Sequence, residues 1–203
     1  MNRKTIAIVD YSVGNHASVQ RAFQALDYRC RTSHDQEVLA EADLIVLPGV
    51  GAYPAAMSAL HSSGLVEFLK ERARSGQPII GLCLGMQLLA DESLEHGVTA
   101  GLGLIPGQVV PLVSVQWHIG WNTIEVINDD HLLQPSDGES VYFNHSYVFQ
   151  APKEYQICLS RLEAPFAVGV RRGNVVGLQF HPEKSQSAGQ TMLKNLVEGL
   201  TCA

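Results

Sequence analysis

No stretch of the 203-residue chain approaches the roughly 18 consecutive apolar residues that a membrane-spanning helix needs. The apolar run behind Arg3 and Lys4, from Thr5 to Val9, is far too short for the core of a signal peptide and stops at Asp10. A soluble, cytoplasmic protein is the expectation. Basic residues are scarce as well. The 14 Lys and Arg face 20 Asp and Glu, a net charge of −6, and no basic cluster exceeds a pair, so nucleic acid is a poor partner. The four cysteines, Cys30, Cys83, Cys158 and Cys202, lie far apart without a CxxC spacing, and no histidines stand in HxxxH or HExxH. These absences argue against a disulfide framework and against a metal site. Three of the cysteines are expected as small apolar or surface residues, and Cys83 is the exception. Internal repeats, low-complexity tracts and linkers are missing too. What the chain does have is 46% hydrophobic residues, enough for a substantial core and too many for intrinsic disorder. Its length fits one large domain over residues 1–203.

Short apolar runs alternate with helical patterns through the first half. Thr5 to Val9, Leu44 to Leu47 and Pro78 to Leu82 read as buried strands, with a more polar strand around Tyr28 to Thr32. Between them, Val19, Phe23 and Leu26 fall at helical spacing, a short acidic helix is expected from Gln36 to Glu41, and a long amphipathic region runs from Ala55 to Arg74. Parallel strands joined by crossover helices follow from that order. A further helix pattern, Met86 to Ala90, comes directly after the third apolar strand. Past residue 98 strands spaced by turns take over: Val109 to Val115, Trp121 to Ile127, Ser140 to Phe149, Gln156 to Ser160, Ala167 to Arg171 and Val175 to Phe180. Arg172-Gly173-Asn174 is a hairpin signal, and Gln190 to Leu200 closes the chain as an amphipathic helix. The fold class is α/β, a central mostly parallel sheet flanked by helices, with a β-rich second half packed into the same domain.

The sharpest local feature is Gly81-Leu82-Cys83-Leu84-Gly85, placed where a strand turns into a helix. It has the form of a nucleophile elbow with cysteine in place of serine. Such a turn lifts the side chain out while aiming helix N-terminal amides at it, which favours a thiolate and supplies part of an oxyanion hole through Leu84 N–H. A buried cysteine between two turn glycines fits the same five residues equally well. A thiolate needs a base, and the base needs an orienting group. Gln179-Phe180-His181-Pro182-Glu183 offers both: at a strand end, His181 and Glu183 project to one face, and Pro182 stops the ladder. A second oxyanion donor is expected from Leu47-Pro48-Gly49-Val50-Gly51, whose glycines let an amide rotate. As a dinucleotide fingerprint that loop fails at Pro54, and Gly101-Leu102-Gly103 fails at Pro106. His145, inside Tyr142 to Tyr147, is explained as readily by core packing as by function.

Taken together, Gly81 to Gln87 and Gln179 to Ser185 resemble the triad, or class I, glutamine amidotransferases. Asp10-Tyr11 with Gly14-Asn15, Pro48 to Gly51, Gly120-Trp121-Asn122 and His145-Ser146-Tyr147 are similar, in order, to the glutaminase subunits of imidazole glycerol phosphate synthase. That resemblance implies hydrolysis of glutamine to glutamate and ammonia, with ammonia passed internally to a (βα)8-barrel cyclase subunit in a heterodimer of histidine biosynthesis. It assigns Cys83 as nucleophile, His181 as base and then acid, Glu183 as orienting carboxylate, and the amides of Val50 and Leu84 as oxyanion donors. Gly49, Gly51, Gln87, Glu95, Ser146 and Tyr147 match positions that hold glutamine; Asn15, Trp121 and Asn122 match positions near the partner. No metal or organic cofactor is implied. A free subunit is expected to be nearly silent until the partner completes the oxyanion hole by rotating the backbone at Val50. Ser12, His16, Val115 to Ile119, Asn144 and Val148 depart from the family habit, all away from the triad. They leave open a glutaminase serving a sugar-amidating cyclase homologue in surface polysaccharide synthesis or, less in keeping with the Gly-Trp-Asn segment, a pyridoxal phosphate synthase. A non-catalytic regulatory subunit is the remaining alternative.

Overall fold

The computed structural model describes residues 3–12, 14–113 and 115–201. Its first half runs β1 (Thr5–Val9), α1 (His16–Ala25), β2 (Arg29–Ser33), α2 (Gln36–Ala40), β3 (Leu44–Leu47), α3 (Tyr53–Ser62), α4 (Leu65–Arg74), β4 (Ile79–Leu82) and α5 (Leu84–Gln87). The second half continues with β5 (Glu92–Ser93), β6 (Thr99–Ala100), β7 (Gln108–Pro111), β8 (His118–Val126), β9 (Ser140–His145), β10 (Tyr147–Gln150), β11 (Gln156–Arg161), β12 (Pro165–Arg172), β13 (Val175–Leu178) and α6 (Gln186–Thr201). Among the described residues these strands form two sheets: a nine-stranded one in the order β2-β1-β3-β4-β13-β12-β11-β8-β9, and a four-stranded one in the order β10-β7-β5-β6.

The large sheet is parallel from β2 to β13 and antiparallel beyond. Strands β1, β3 and β4 are apolar on both faces because helices cover both. Ala7 and Val9 point into a layer with α3 and α4, Ile6 and Ile8 into one with α1 and α6. Leu47 pairs with Gly81, and Leu82 with Leu178, so β3, β4 and β13 end level with one another. The Pro48 loop, Cys83 and the segment after Leu178 therefore emerge side by side at the carboxyl edge of parallel strands, where α/β sheets bind ligands.

Four expected elements come out differently. The amphipathic region from Ala55 to Arg74 is two helices, broken where Gly64 takes a left-handed φ of 69° and its N–H bonds His61 O. The helix expected through Ala90 ends at Gln87: the carbonyls of Leu88, Leu89 and Ala90 instead accept from Leu102, Leu104 and Gly103 of a docked loop. The run from Ser140 to Phe149 is not one strand; it leaves the large sheet at His145 and enters the small one at Tyr147. The strand expected through Val115 stops at Pro111, and Ser114 lies outside the described residues. Among the described residues no helix is long and apolar enough to cross a membrane. Cys30 and Cys158 are unbridged, with burial pushing the Cys30 thiol up to about 11 and the Cys158 thiol up as well, which disfavours the thiolate in each. Cys202 lies outside the described residues.

Candidate active site

Cys83 follows the last residue of β4 and precedes the first of α5, at φ 55° and ψ −111°. For a residue with a Cβ that conformation costs about 1–3 kcal/mol and persists only where its surroundings enforce it. They do. Cys83 N donates to Leu178 O on β13 (2.8 Å), and Cys83 O accepts from Met86 N (3.0 Å) and Gln87 N (3.3 Å). The flanking glycines are demanded by close approach: a Cβ on Gly81 would sit 2.5 Å from Gly85 O, and one on Gly85 only 1.8 Å from Leu47 O.

His181 arrives from the neighbouring strand. Its N–H donates to Tyr142 O on β9 (2.9 Å), and its carbonyl accepts from Ser185 Oγ (2.7 Å), which in turn accepts from Tyr142 N (3.0 Å). Its ring Nδ1 donates to Glu183 Oε1 at 2.8 Å, both side chains almost wholly sealed from water. The reason differs from the one the sequence suggests. β13 stops at Leu178, and Pro182 begins a single 3-10 turn, Pro182–Lys184, so the imidazole and carboxylate meet across a turn rather than by strand alternation. Burial pushes against a charged ring at His181, but hydrogen bonds to Cys83 and Glu183, and the negative charge on both, carry its pKa up to about 9. The imidazole and the carboxylate are joined directly, and the thiol, whose Sγ lies 3.8 Å from Asn144 O, a residue expected away from the triad, sits beside the ring.

Two residues that sequence reasoning did not single out complete the setting. Gln179, fully buried, has Nε2 3.9 Å from Cys83 Sγ and accepts at Oε1 from Gln87 Nε2 (3.0 Å), which also donates to Tyr147 O (3.1 Å). Tyr11 donates its hydroxyl to Pro48 O at 2.6 Å; burial, and then the nearby Cys83, push that hydroxyl's pKa up. Tyr11 thereby pins the start of the glycine loop. A Cβ on Gly49 would meet Tyr11 Oη and Leu84 Cβ, both at 2.8 Å, whereas Gly51, at φ 95°, has open space around it. The loop is anchored at one end and free to turn at the other. Gln179 and Tyr11 both stand inside segments that carry the family resemblance, where neither was given a role of its own.

A cavity of about 670 Å³ opens above the thiol, and Val50, Gly51, Leu84, Gln87, Glu95, Ser146 and Tyr147 all line it together with Cys83 and His181. Gly49 and Glu183 stand behind the wall. Glu95 is buried, and its Oε2 accepts from Tyr53 N (2.8 Å), so its carboxylate caps the positive end of α3. The cavity also draws in His96, Gln116, Trp117, Asn144, His145 and Lys184, which were not among the expected site residues. Asn15, Trp121 and Asn122 are not on its wall: Asn15 precedes α1, and the other two lie on β8. Val50, Val113, Trp117, Ile119 and Trp121 are exposed apolar side chains, and three of them lie on or just before β8. Among the described residues no three His, Cys, Asp or Glu side chains gather to hold a metal ion. A buried thiol beside an imidazole that is paired to a carboxylate, under a glycine-flanked loop, is equipped for acyl transfer from an amide.

Comparison with known proteins points the same way. Residues 7–199 match the glutamine amidotransferase class-I family. The chain is 43% identical over 197 residues, 95% of each chain, to a Listeria monocytogenes (serotype 4a, strain HCC23) protein described as imidazole glycerol phosphate synthase subunit HisH. A protein of the same description from Carboxydothermus hydrogenoformans is 43% identical over 196 residues, covering 95% of this chain and 98% of that one. Among solved structures, PurLQS from Thermotoga maritima superposes with a TM-score of 0.80 at 19% identity, over 98% of this chain and 100% of that one. A glutamine amidotransferase from the same organism gives 0.72 at 17% identity over the full length of both. These two speak to the fold alone.

Proposed function

This chain belongs to the class-I glutamine amidotransferase family, and from that premise we infer that it is the glutaminase subunit of imidazole glycerol phosphate synthase, in histidine biosynthesis. Glutamine is hydrolysed to glutamate and ammonia, and a cyclase partner, the other half of a heterodimer, consumes the ammonia. The observation that carries the reading is the Cys83, His181 and Glu183 cluster beneath a cavity roomy enough for glutamine, in a sequence 43% identical over 95% of its length to a named subunit of that synthase. That similarity favours the histidine pathway over the sugar-amidating alternative.

In the reaction as we read it, His181 Nε2 takes the proton of Cys83 as Sγ attacks the side-chain carbonyl carbon of glutamine, and the amides of Leu84 and Val50 receive the developing oxyanion. His181 Nε2 gives its proton to the departing nitrogen, which leaves as ammonia. The thioester on Cys83 is then cleaved by a water whose proton His181 accepts, releasing glutamate and restoring the thiol. Glu183 holds the ring with Nδ1 protonated and stabilises its charge. Gly51, Gln87, Glu95, Ser146 and Tyr147 form the glutamine pocket with Gly49 behind them, and Glu95 presents its carboxylate to the substrate ammonium. The route calls for no metal or organic cofactor. Asn15, Trp121 and Asn122 belong to the partner face, and the exposed Trp117 and Ile119 extend it. We read residues 1–203 as one glutaminase domain working in the cytoplasm. The loop pinned by Tyr11 but free at Gly51 supports a resting state in which Val50 N–H is not yet aimed, so that the partner switches hydrolysis on.

Cys83→Ala tests the mechanism. In the complex it should abolish synthesis supported by glutamine and spare synthesis supported by added ammonia. Glutamine-dependent turnover surviving in that variant would remove the proposal.

A further inference from the structure

We propose that His118 and His145 form a one-way hydrogen-bonded pair that fixes the turn at Ser146 and so positions the Tyr147 carbonyl and the glutamine-holding wall beside it. The proposal rests on reading the cavity as the glutamine site. The argument begins with topology. β9 runs beside β8 in the large sheet, with His118 opposite His145. β10 pairs with β7 in the small sheet, with Tyr147 opposite Pro111. A single residue, Ser146, carries the chain from one sheet to the other, its carbonyl held by Leu112 N at 2.9 Å. Ser146 and Tyr147 both line the cavity, so the angle at this crossing sets the shape of the wall.

The rings staple that crossing, and their protons are dictated from both ends. His145 Nδ1 lies 2.9 Å from Tyr147 O, and a carbonyl only accepts, so Nδ1 carries the hydrogen. In the neutral ring Nε2 is then an acceptor, and its partner at 2.9 Å, His118 Nδ1, must donate. That leaves His118 Nε2 to accept from Asn122 Nδ2, 3.2 Å away. The Asn122 amide is oriented independently: Nδ2 donates to Arg161 O (2.9 Å), and Oδ1 accepts from Thr123 N (2.8 Å). Every hydrogen runs in one direction, from β8 to Tyr147. An extra proton on either ring would set two N–H groups face to face at one of the joints. Burial acts in the same sense, lowering the pKa of both rings, that of His145 to about 4, with the neighbouring His118 and His181 adding to the effect there against the hydrogen bond to Tyr147. His118 is further clamped by Phe143, stacked at 4.4 Å, and by the edge of Phe166 at 5.7 Å.

The Tyr147 carbonyl is shared. It also accepts from Gln87 Nε2, whose other hydrogen goes to Gln179, and Gln179 reaches Cys83 Sγ. Fixing that carbonyl therefore fixes the amide chain beside the nucleophile. His118 and His145 act as positioning residues; neither moves a proton in the reaction.

Two measurements test this. Nitrogen-15 NMR of the histidine rings in the full chain at pH 7 should show both rings neutral with hydrogen on Nδ1, the less common tautomer of free imidazole. An Nε2–H or charged form at either ring overturns the proposal. Kinetics of the complex with its cyclase partner supply the second readout, because a purely structural pair would lower stability without separating KM from kcat. His145→Gln places no donor near the Nδ1 position and should raise the glutamine KM about tenfold, the effect of one lost buried hydrogen bond, with kcat within about threefold. His145→Asn keeps a nitrogen donor there and should recover most of the KM. Equal KM values in both variants and the unmodified complex overturn the proposal, as does an equal KM rise in both. An unmodified complex that turns over no glutamine would retract the glutaminase reading instead, with the ring tautomers still deciding for or against the pair.

Discussion

Replacing Glu183 by Gln isolates the contribution of one negative charge to the reaction. The carboxylate accepts from His181 Nδ1 at 2.8 Å with both side chains sealed from water, and its second oxygen, Oε2, is buried without a hydrogen-bond partner. In the variant the amide oxygen must face Nδ1, because the reverse arrangement would oppose two N–H groups. Ring orientation and tautomer are thus retained, and charge alone is lost. A hydrogen bond to a charged group contributes about 1.5–3 kcal/mol where a neutral one gives about 0.5–1.5. The imidazolium loses roughly 1.4 kcal/mol of support, about a factor of ten. His181 holds its proton to about pH 9 through Cys83 and Glu183. Ammonia release from glutamine by the complex, followed from pH 6 to 10 with acceptor ligand present, should show an alkaline limb of kcat/KM near pH 9 that belongs to the Cys83–His181 pair jointly. In Glu183→Gln the limb should move to about pH 8, so that kcat/KM changes little near pH 6 and falls about fivefold at pH 9. A limb that stays near pH 9, with kcat/KM within twofold, would refute the idea that this carboxylate supports the imidazolium.

Other consequences follow from the same geometry. Gly85→Ala would drive its Cβ to 1.8 Å from Leu47 O, a backbone atom of a central strand, so urea unfolding should report a loss of about 3 kcal/mol or more. The two perturbed histidines give stability opposite slopes with pH. His181 is raised from 6.5 to about 9, so its stabilisation is complete below pH 6.5 and is lost as pH climbs through 9. His145 is lowered from 6.5 to about 4, so its contribution holds above pH 6.5 and is lost as pH falls towards 4. Urea midpoints measured across pH should therefore slope less on the alkaline side in His181→Asn and less on the acid side in His145→Asn; unchanged slopes would disprove the assignments. Trp121→Ala removes a half-exposed indole from β8 and should weaken binding to the cyclase at least tenfold by calorimetric titration, with no change in the free energy of urea unfolding beyond about 0.5 kcal/mol.

What the sequence disclosed and what it hid divide along a physical line. The elbow was legible because its requirements are local: Gly81 and Gly85 are the only residue type that tolerates the approach of Gly85 O and Leu47 O, and both are visible within five positions. The βαβ order was legible because strands buried on both faces need continuous apolar runs. The pairing of His181 with Glu183 could be anticipated from spacing, yet the cause was misjudged, since a 3-10 turn after Pro182 does the work assigned to strand alternation. Features decided by distant partners were invisible. Nothing near Leu88 to Ala90 announces that the loop from Gly101 to Ile105 will take their carbonyls and end the helix. Nothing in the aromatic run from Ser140 to Phe149 announces a change of sheet at Ser146. Tyr11 and Gln179 belong to the site only through Pro48, Gln87 and Cys83, each far away along the chain.

The exposed Trp117, Ile119 and Trp121, alternate residues at the start of β8, bear on how such a protein must be made. Oily side chains displayed together on one surface adhere to their like when no complementary surface is at hand. A cell that synthesised this subunit in excess of its cyclase would accumulate molecules inclined to precipitate. Matched gene dosage, or shared transcription of the two subunits, is therefore a solubility requirement as much as a metabolic economy, and recombinant preparations should behave best when both are co-expressed.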